Sequence, residues 1–126
     1  MNYYYGIAWL LGLLLFQSPL YTQSVNLDSF EKIQLVKLEN CAVVQVNASW
    51  NYQNRLAIEK LKDCYIAEVD LSNRQIGAVI QKEWKVKVVP TIIIFKNGTE
   101  VKRFEAGVSM KLDEKSILES IRKEIK

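Results

Sequence analysis

Between Cys41 and Val46 the chain reads Cys-Ala-Val-Val-Gln-Val, an apolar run broken only by one glutamine and too short for a typical helix. Its β-branched content makes it a strand, and its lack of polar alternation means that both of its faces are covered. A strand buried on both sides belongs in the middle of a parallel or mixed sheet, whose crossover connections place helices on the two faces. This run therefore restricts the chain to α/β architectures.

The flanking segments fit that architecture. Val25–Leu27 is a short strand, and Asp28-Ser29 caps a helix over Phe30–Leu38 with Phe30, Ile33, Leu35 and Val36 on an imperfect apolar face. Arg55–Leu61 is expected to be helical with Leu56, Ile58 and Leu61 inward, Cys64–Leu71 is a second parallel strand, and Asn73 caps a helix over Arg74–Lys82. Ile92–Phe95 and Val101–Phe104 flank Asn97-Gly98, a dipeptide suited to the type I′ turn of a β-hairpin. Asp113 then caps a last helix in which Ile117, Leu118, Ile121 and Ile125 recur at helical spacing, with Arg122, Lys123 and Lys126 complementing its C-terminal dipole. The predicted order is β-α-β-α-β-α-β-β-α, one domain without repeats or low-complexity linkers.

The junction Asn47–Arg55 closes the central strand, and Asn51 or Asn54 is suited to cap the helix that follows. Its frame, Trp50-Asn51-Tyr52-Gln53-Asn54-Arg55, resembles the elbow at which thioredoxins carry Trp-Cys-Gly-Pro-Cys-Lys/Arg. Val89-Pro90-Thr91, followed by Ile92–Phe95 and Lys96-Asn97-Gly98, is similar to that family's second signature, and Asp28-Ser29-Phe30 is similar to the start of its first helix. The resemblance implies a thioredoxin-like fold over residues 25–126, with a mixed central sheet and helices on both faces, and it implies that Pro90 is a cis-proline.

What the elbow lacks bears on function. Dithiol exchange needs a thiolate to attack a disulfide and a second thiol to resolve the intermediate. Asparagine supplies neither, because a carboxamide does not ionise at physiological pH. The buried Asp that serves many thioredoxins as a proton acceptor aligns with the neutral Gln45. No catalytic residue is therefore assigned at the elbow, and the balance leans away from an enzyme.

The groove implied by the resemblance does not itself require cysteines. The backbone of Val89 would face an extended peptide, Trp50 and Tyr52 would flank it, Asn51, Gln53, Asn54, Pro90 and Thr91 would complete it, and Trp84 could pack at its approach. Lys82, Lys85 and Lys87 form a modest basic edge beside it. The expected function is accordingly a non-redox module that binds a peptide or protein partner through Trp50–Asn54 and the cis-Pro90 loop. The alternative is a thiol–disulfide oxidoreductase or redox sensor that works through Cys41 and Cys64.

Those two cysteines open two parallel-type strands, and Cys41 lies about 23 Å from the elbow at ~3.3 Å per residue. Neighbouring strands are ~4.8 Å apart, so a disulfide is geometrically possible, and the pair reads as a structural disulfide, as two buried, inert thiols, or as a redox-sensing pair.

The first 24 residues contain no Asp, Glu, Lys or Arg. The ten-residue run Ile7–Phe16 is too short to span a bilayer and suits a signal-peptide core, with cleavage after Ser24. Residues 1–24 are thus expected to be an export signal or an uncleaved anchor, the latter giving the only membrane association. The domain is placed in the periplasm, a secretory lumen or the extracellular space.

At 126 residues and 49% apolar content the chain can bury one core. Its 17 basic and 14 acidic residues form no basic stripe, which disfavours nucleic acid. The absence of histidine excludes Ser-His-Asp and Cys-His catalysis and imidazole-bound zinc. No Gly-rich phosphate loop occurs, so neither metal nor cofactor is expected. Asn47-Ala48-Ser49 and Asn97-Gly98-Thr99 fit the glycosylation pattern, which is common by chance and carries no weight here.

Overall fold

In a computed structural model, residues 23–126 are described, so the export signal expected over residues 1–24 lies outside them except for its last two positions. The chain forms β1 (Val25–Asn26), α1 (Phe30–Leu35), β2 (Cys41–Asn47), β3 (Tyr65–Asp70), α2 (Arg74–Trp84), β4 (Thr91–Lys96), β5 (Thr99–Glu105) and α3 (Glu114–Glu124). The five strands lie in the order β1-β3-β2-β4-β5. β1, β3 and β2 are parallel, whereas β4 pairs antiparallel with β2 and β5 antiparallel with β4. It is the mixed α/β sheet with helices on both faces that the sequence implied, and β2 holds the centre.

Strand alternation sorts the core into two layers. Ala42, Val44 and Val46 of β2 face one way with Ala67, Val69 and Ile93, and meet Ile33 of α1 and Ile76 and Ile80 of α2. Val43 faces the other way with Ile66, Ile92 and Ile94, against Leu118 and Ile121 of α3 and against Leu56, Ile58 and Leu61. At roughly 1.5–3 kcal/mol per fully buried aliphatic side chain, these two layers are the main source of stability. Among the described residues no helix is long and apolar enough to cross a membrane.

Caps fix the helix starts. Ser29, Asn73 and Asp113 each accept a hydrogen bond from the backbone N–H three residues on. The first helix is shorter than expected and tightens into a 3₁₀ turn over Val36–Leu38. The second runs two residues further, to Trp84, where Lys85 ends it in the left-handed region with φ 52°. Asn97 and Gly98, with φ 52° and 82°, make the hairpin turn between β4 and β5.

One expected helix is missing. Arg55–Leu61 is not α-helical: a 3₁₀ segment covers Ser49–Asn54, Arg55 is extended at φ −68°, ψ 138°, and a single 3₁₀ turn covers Ile58–Lys60. The physical reason lies in the partners of its backbone. Gln45 takes both polar groups of Leu56, and a Glu114 carboxylate oxygen accepts from the Ala57 N–H at 2.9 Å, so side chains supply bonds that a helix would otherwise have made. Leu56, Ile58 and Leu61 are still buried, as the apolar pattern requires.

Candidate functional site

The sheet has two chemically distinct poles. At one, the C-terminal ends of β2 and β3 carry the elbow, where Trp50 and Tyr52 are 62% and 66% exposed. Asn51 is not: it is 3% exposed, and its Nδ2 donates to Asn47 Oδ1 at 3.2 Å and to the Met110 carbonyl at 3.1 Å. Asn54 Nδ2 donates to Asn51 Oδ1 at 2.7 Å, and Asn47 Nδ2 to the Asn51 carbonyl at 3.2 Å. The residue before this segment with extended backbone is Ala48, which makes no side-chain cap. Neither asparagine therefore caps a helix; together they tie the elbow to the loop over residues 107–110.

An open cleft of about 570 Å³ beside the elbow is lined by Ala48, Trp50, Leu71, Val89, Val108 and Met110, with Gln81 and Lys87 at its rim. The Val89–Pro90 peptide bond is cis. Val89, Pro90 and Thr91 are buried, and the Thr91 hydroxyl donates to the Val88 carbonyl at 2.7 Å. Gln53 is exposed and Asn54 half-buried. Trp84 does not approach this cleft; it packs in the core with its ring 5.2 Å from that of Phe95. Lys85 lines a different cleft, with Arg103, so the expected basic edge is split.

Below the elbow, Arg55 bridges two carboxylates. Its Nε donates to Glu68 Oε1 at 2.7 Å, one Nη reaches Glu59 Oε1 at 2.5 Å, and the same Nη also pairs with Glu68 Oε2. The hydrogen bonds that Arg55 donates to Glu68 raise its pKa further, against the opposing effect of burial. Burial pushes the Glu59 carboxyl up, but the hydrogen bond from Arg55 outweighs it together with smaller contributions, and the net shift is downward. Sequence reading missed this cluster, because nothing in the spacing of Arg55, Glu59 and Glu68 indicates that β3 passes beneath the elbow.

At the opposite pole, Cys41 and Cys64 are joined in a disulfide, with Cα atoms 4.9 Å apart. The parallel register explains why: Ala42 of β2 lies beside Tyr65 of β3, so the residues just before them are neighbours. Both cysteines are only half-buried and open onto a shallow cleft of about 470 Å³, lined also by Gln23, Val25, Glu39, Asn40, Asp63, Tyr65 and Ile66. Burial, then repulsion from Glu39, lifts the Tyr65 phenol above its usual range. Asp63, immediately before Cys64, is in the left-handed region at φ 72°.

No protein-family model and no curated protein sequence matches the chain. Its fold does match solved structures. Thioredoxin NaTrxh from Nicotiana alata superposes with a TM-score of 0.64 at 22% identity, over 85% of this chain and 96% of that one. A point-mutant thioredoxin from Halobacterium salinarum NRC-1 gives 0.63 at 16% identity, over 85% and 95%. Thioredoxin f from spinach chloroplast gives 0.60 at 18% identity, over 87% and 100%. At these identities the likeness is one of fold: the chain has the thioredoxin fold.

These findings correct the expectation of a non-redox module that binds a peptide through Trp50–Asn54 and the Pro90 loop. Its premise was that the elbow has no dithiol and that Cys41 and Cys64 do no redox chemistry; the elbow does lack cysteine, but a bonded, half-exposed cysteine pair is present elsewhere on a fold shared with thioredoxins. The groove is also less available than expected, since Asn51, Val89, Pro90 and Thr91 are buried and Asn51 is committed to internal partners.

Proposed function

We propose that this thioredoxin-fold chain is a redox-active or redox-sensing protein whose working pair is Cys41 and Cys64, at the pole of the sheet opposite the elbow. The observation that carries this is the disulfide itself, set across adjacent parallel strands with both cysteines half-exposed on an open cleft. A structural disulfide deep in the core would give a thiol no approach, whereas this one can be met from solvent.

The reaction is ordinary exchange with an external thiol. A thiolate attacks one of the two sulfurs, the S–S bond breaks, and the other cysteine leaves as a thiolate that takes up a proton. A second thiol then attacks the mixed disulfide, giving two protein thiols and one oxidised disulfide of the reductant, so that two electrons pass to the protein. Run in reverse, the reduced pair would return those electrons to a disulfide partner. Opening the bond leaves the ladder between β2 and β3 to hold the sheet. The disulfide and the apolar run Ile7–Phe16 together favour an oxidising compartment outside the cytosol.

Equilibration of the native protein in a graded series of thiol–disulfide buffers, followed by alkylation and mass spectrometry, tests the proposal. A reversible passage between the disulfide and two alkylated thiols, with the fold retained by circular dichroism, is the expected result. A pair that stays oxidised until the protein is denatured would make it a structural staple and end the redox reading.

A further inference from the structure

Beside the disulfide lies a second cleft, of about 450 Å³, between the last turn of α3 and the turn over residues 60–63. Its charged lining is Lys60, Lys62, Arg122 and Lys126 against a single side-chain carboxylate, Asp63, and all five are exposed. Among the described residues none of the four cations has an ion-pair partner, in contrast to Arg55 and Arg103. The two clefts are contiguous, since Asp63 lines both, and Cys64 and Ile125 pack against the same apolar cluster under α3. A fifth cation approaches from the other side. Lys96 stands opposite Cys41 in the antiparallel ladder, where side chains on one face are about 5 Å apart at Cβ. The carboxylates that oppose this field nearest the sulfurs are Glu39 and Asp63.

We propose that this cationic surface is a recognition site for carboxylate-bearing thiols that reduce the Cys41–Cys64 disulfide; this rests on the redox reading above. The excess of side-chain cations over side-chain carboxylates raises the local concentration of an anionic thiol beside the sulfurs and favours the thiolate that departs from the broken bond. The cations are exposed, so the effect is one of encounter and is screened by salt. The ligand class follows from the geometry: a small or extended thiol whose carboxylate reaches Lys62 and Arg122 while its sulfur reaches the disulfide.

The test compares reduction of the native full chain by glutathione, 2-mercaptoethanol and cysteamine, which are anionic, neutral and cationic. Rates are expressed per thiolate and referred to the same thiols acting on a small uncharged disulfide, which removes intrinsic nucleophilicity. Glutathione is expected to exceed 2-mercaptoethanol by about threefold or more at low salt, and cysteamine to fall below it. The advantage should vanish at about 0.5 M salt. It should also fall by at least half in Lys62→Gln/Arg122→Gln but persist in Lys111→Gln/Lys115→Gln, which removes the same charge near the opposite end of α3. Rates that ignore the charge of the thiol, or that fall equally in both double variants, overturn the recognition site and leave the redox reading intact. A disulfide that none of the three thiols opens in the native protein overturns both.

Discussion

Gln45 holds Leu56 by both of its backbone polar groups: Nε2 donates to the Leu56 carbonyl at 2.9 Å, and Oε1 accepts from its N–H at 2.8 Å. Gln45 is 1% exposed and stands on β2 at the face that meets the irregular segment over residues 55–61. The single polar residue within the apolar run of the central strand thus completes the backbone bonding of a stretch that forms no helix of its own.

Replacing Gln45 by Leu keeps the volume but leaves a buried N–H and a buried C=O without partners. At about 1–3 kcal/mol for each of the two orphaned groups, the domain should lose roughly 2–6 kcal/mol in urea denaturation. Gln45→Glu retains the acceptor and should be costly as well, because burial disfavours its charged form. A loss under about 1 kcal/mol in the Leu variant would mean that the segment finds other partners.

Asn51 is expected to matter for the loop over residues 107–110 more than for the sheet. Asn51→Ala removes the bonds to Asn47 Oδ1 and to the Met110 carbonyl, with an expected cost of about 1–2 kcal/mol. Hydrogen exchange should quicken around Gly107–Met110 while protection in β2 and β3 is retained. Uniform loss of protection would contradict a local tether.

The disulfide closes a segment with a sequence separation of 23, which the chain-entropy relation values at about 3 kcal/mol. Cys41→Ser/Cys64→Ser should be destabilised by that order in thermal or urea unfolding, and reduced wild-type protein should match it. A reduced wild type as stable as the oxidised form would show that the bond contributes nothing to the fold.

Two backbone positions should respond with opposite signs. Lys85 ends α2 at φ 52°, so Lys85→Gly is expected to be neutral or to stabilise by up to about 1 kcal/mol. Gly77 packs so closely that an added Cβ would lie 2.6 Å from the Leu71 carbonyl oxygen, so Gly77→Ala should cost about 1–3 kcal/mol despite its better helix propensity. Melting temperatures of the two variants decide both.

The Arg55–Glu59 pair gives a pH dependence of definite sign. The folded Glu59 pKa is lowered, so its contribution is fully present above the unfolded value of about 4.3 and is lost as pH falls through the lower folded value. Because the pair is partly exposed, the amount is roughly 0.5–1 kcal/mol. Wild type minus Glu59→Gln should therefore shrink as urea unfolding is repeated from about pH 7 down to about pH 3. A difference independent of pH would assign the effect of the substitution to packing.

How far the chain could be read from its sequence differs from residue to residue. The strand Cys41–Asn47, the hairpin at Asn97-Gly98 and the caps at Ser29, Asn73 and Asp113 were legible because each depends on local preference or on a short hydrophobic period. Arg55–Leu61 was not legible as an irregular segment. Its apolar spacing suits a helix, and what withholds the helix is Gln45 and Glu114, 11 and 57 residues away from their partners. The burial of Asn51 was equally hidden, since Met110 is 59 residues further on.

By itself, then, the sequence determined the class of fold, through a doubly covered central strand and the polar and glycine residues that end each element, and it showed that the elbow has no cysteine. Tertiary structure decided which residues meet. Parallel register brought Cys41 and Cys64 together at the far pole, and packing gathered Lys60, Lys62, Arg122 and Lys126 around one cleft beside them and drew Asn51 inside. The reason is that propensity and period act over a few residues, whereas register, crossover and packing join positions that no local pattern relates.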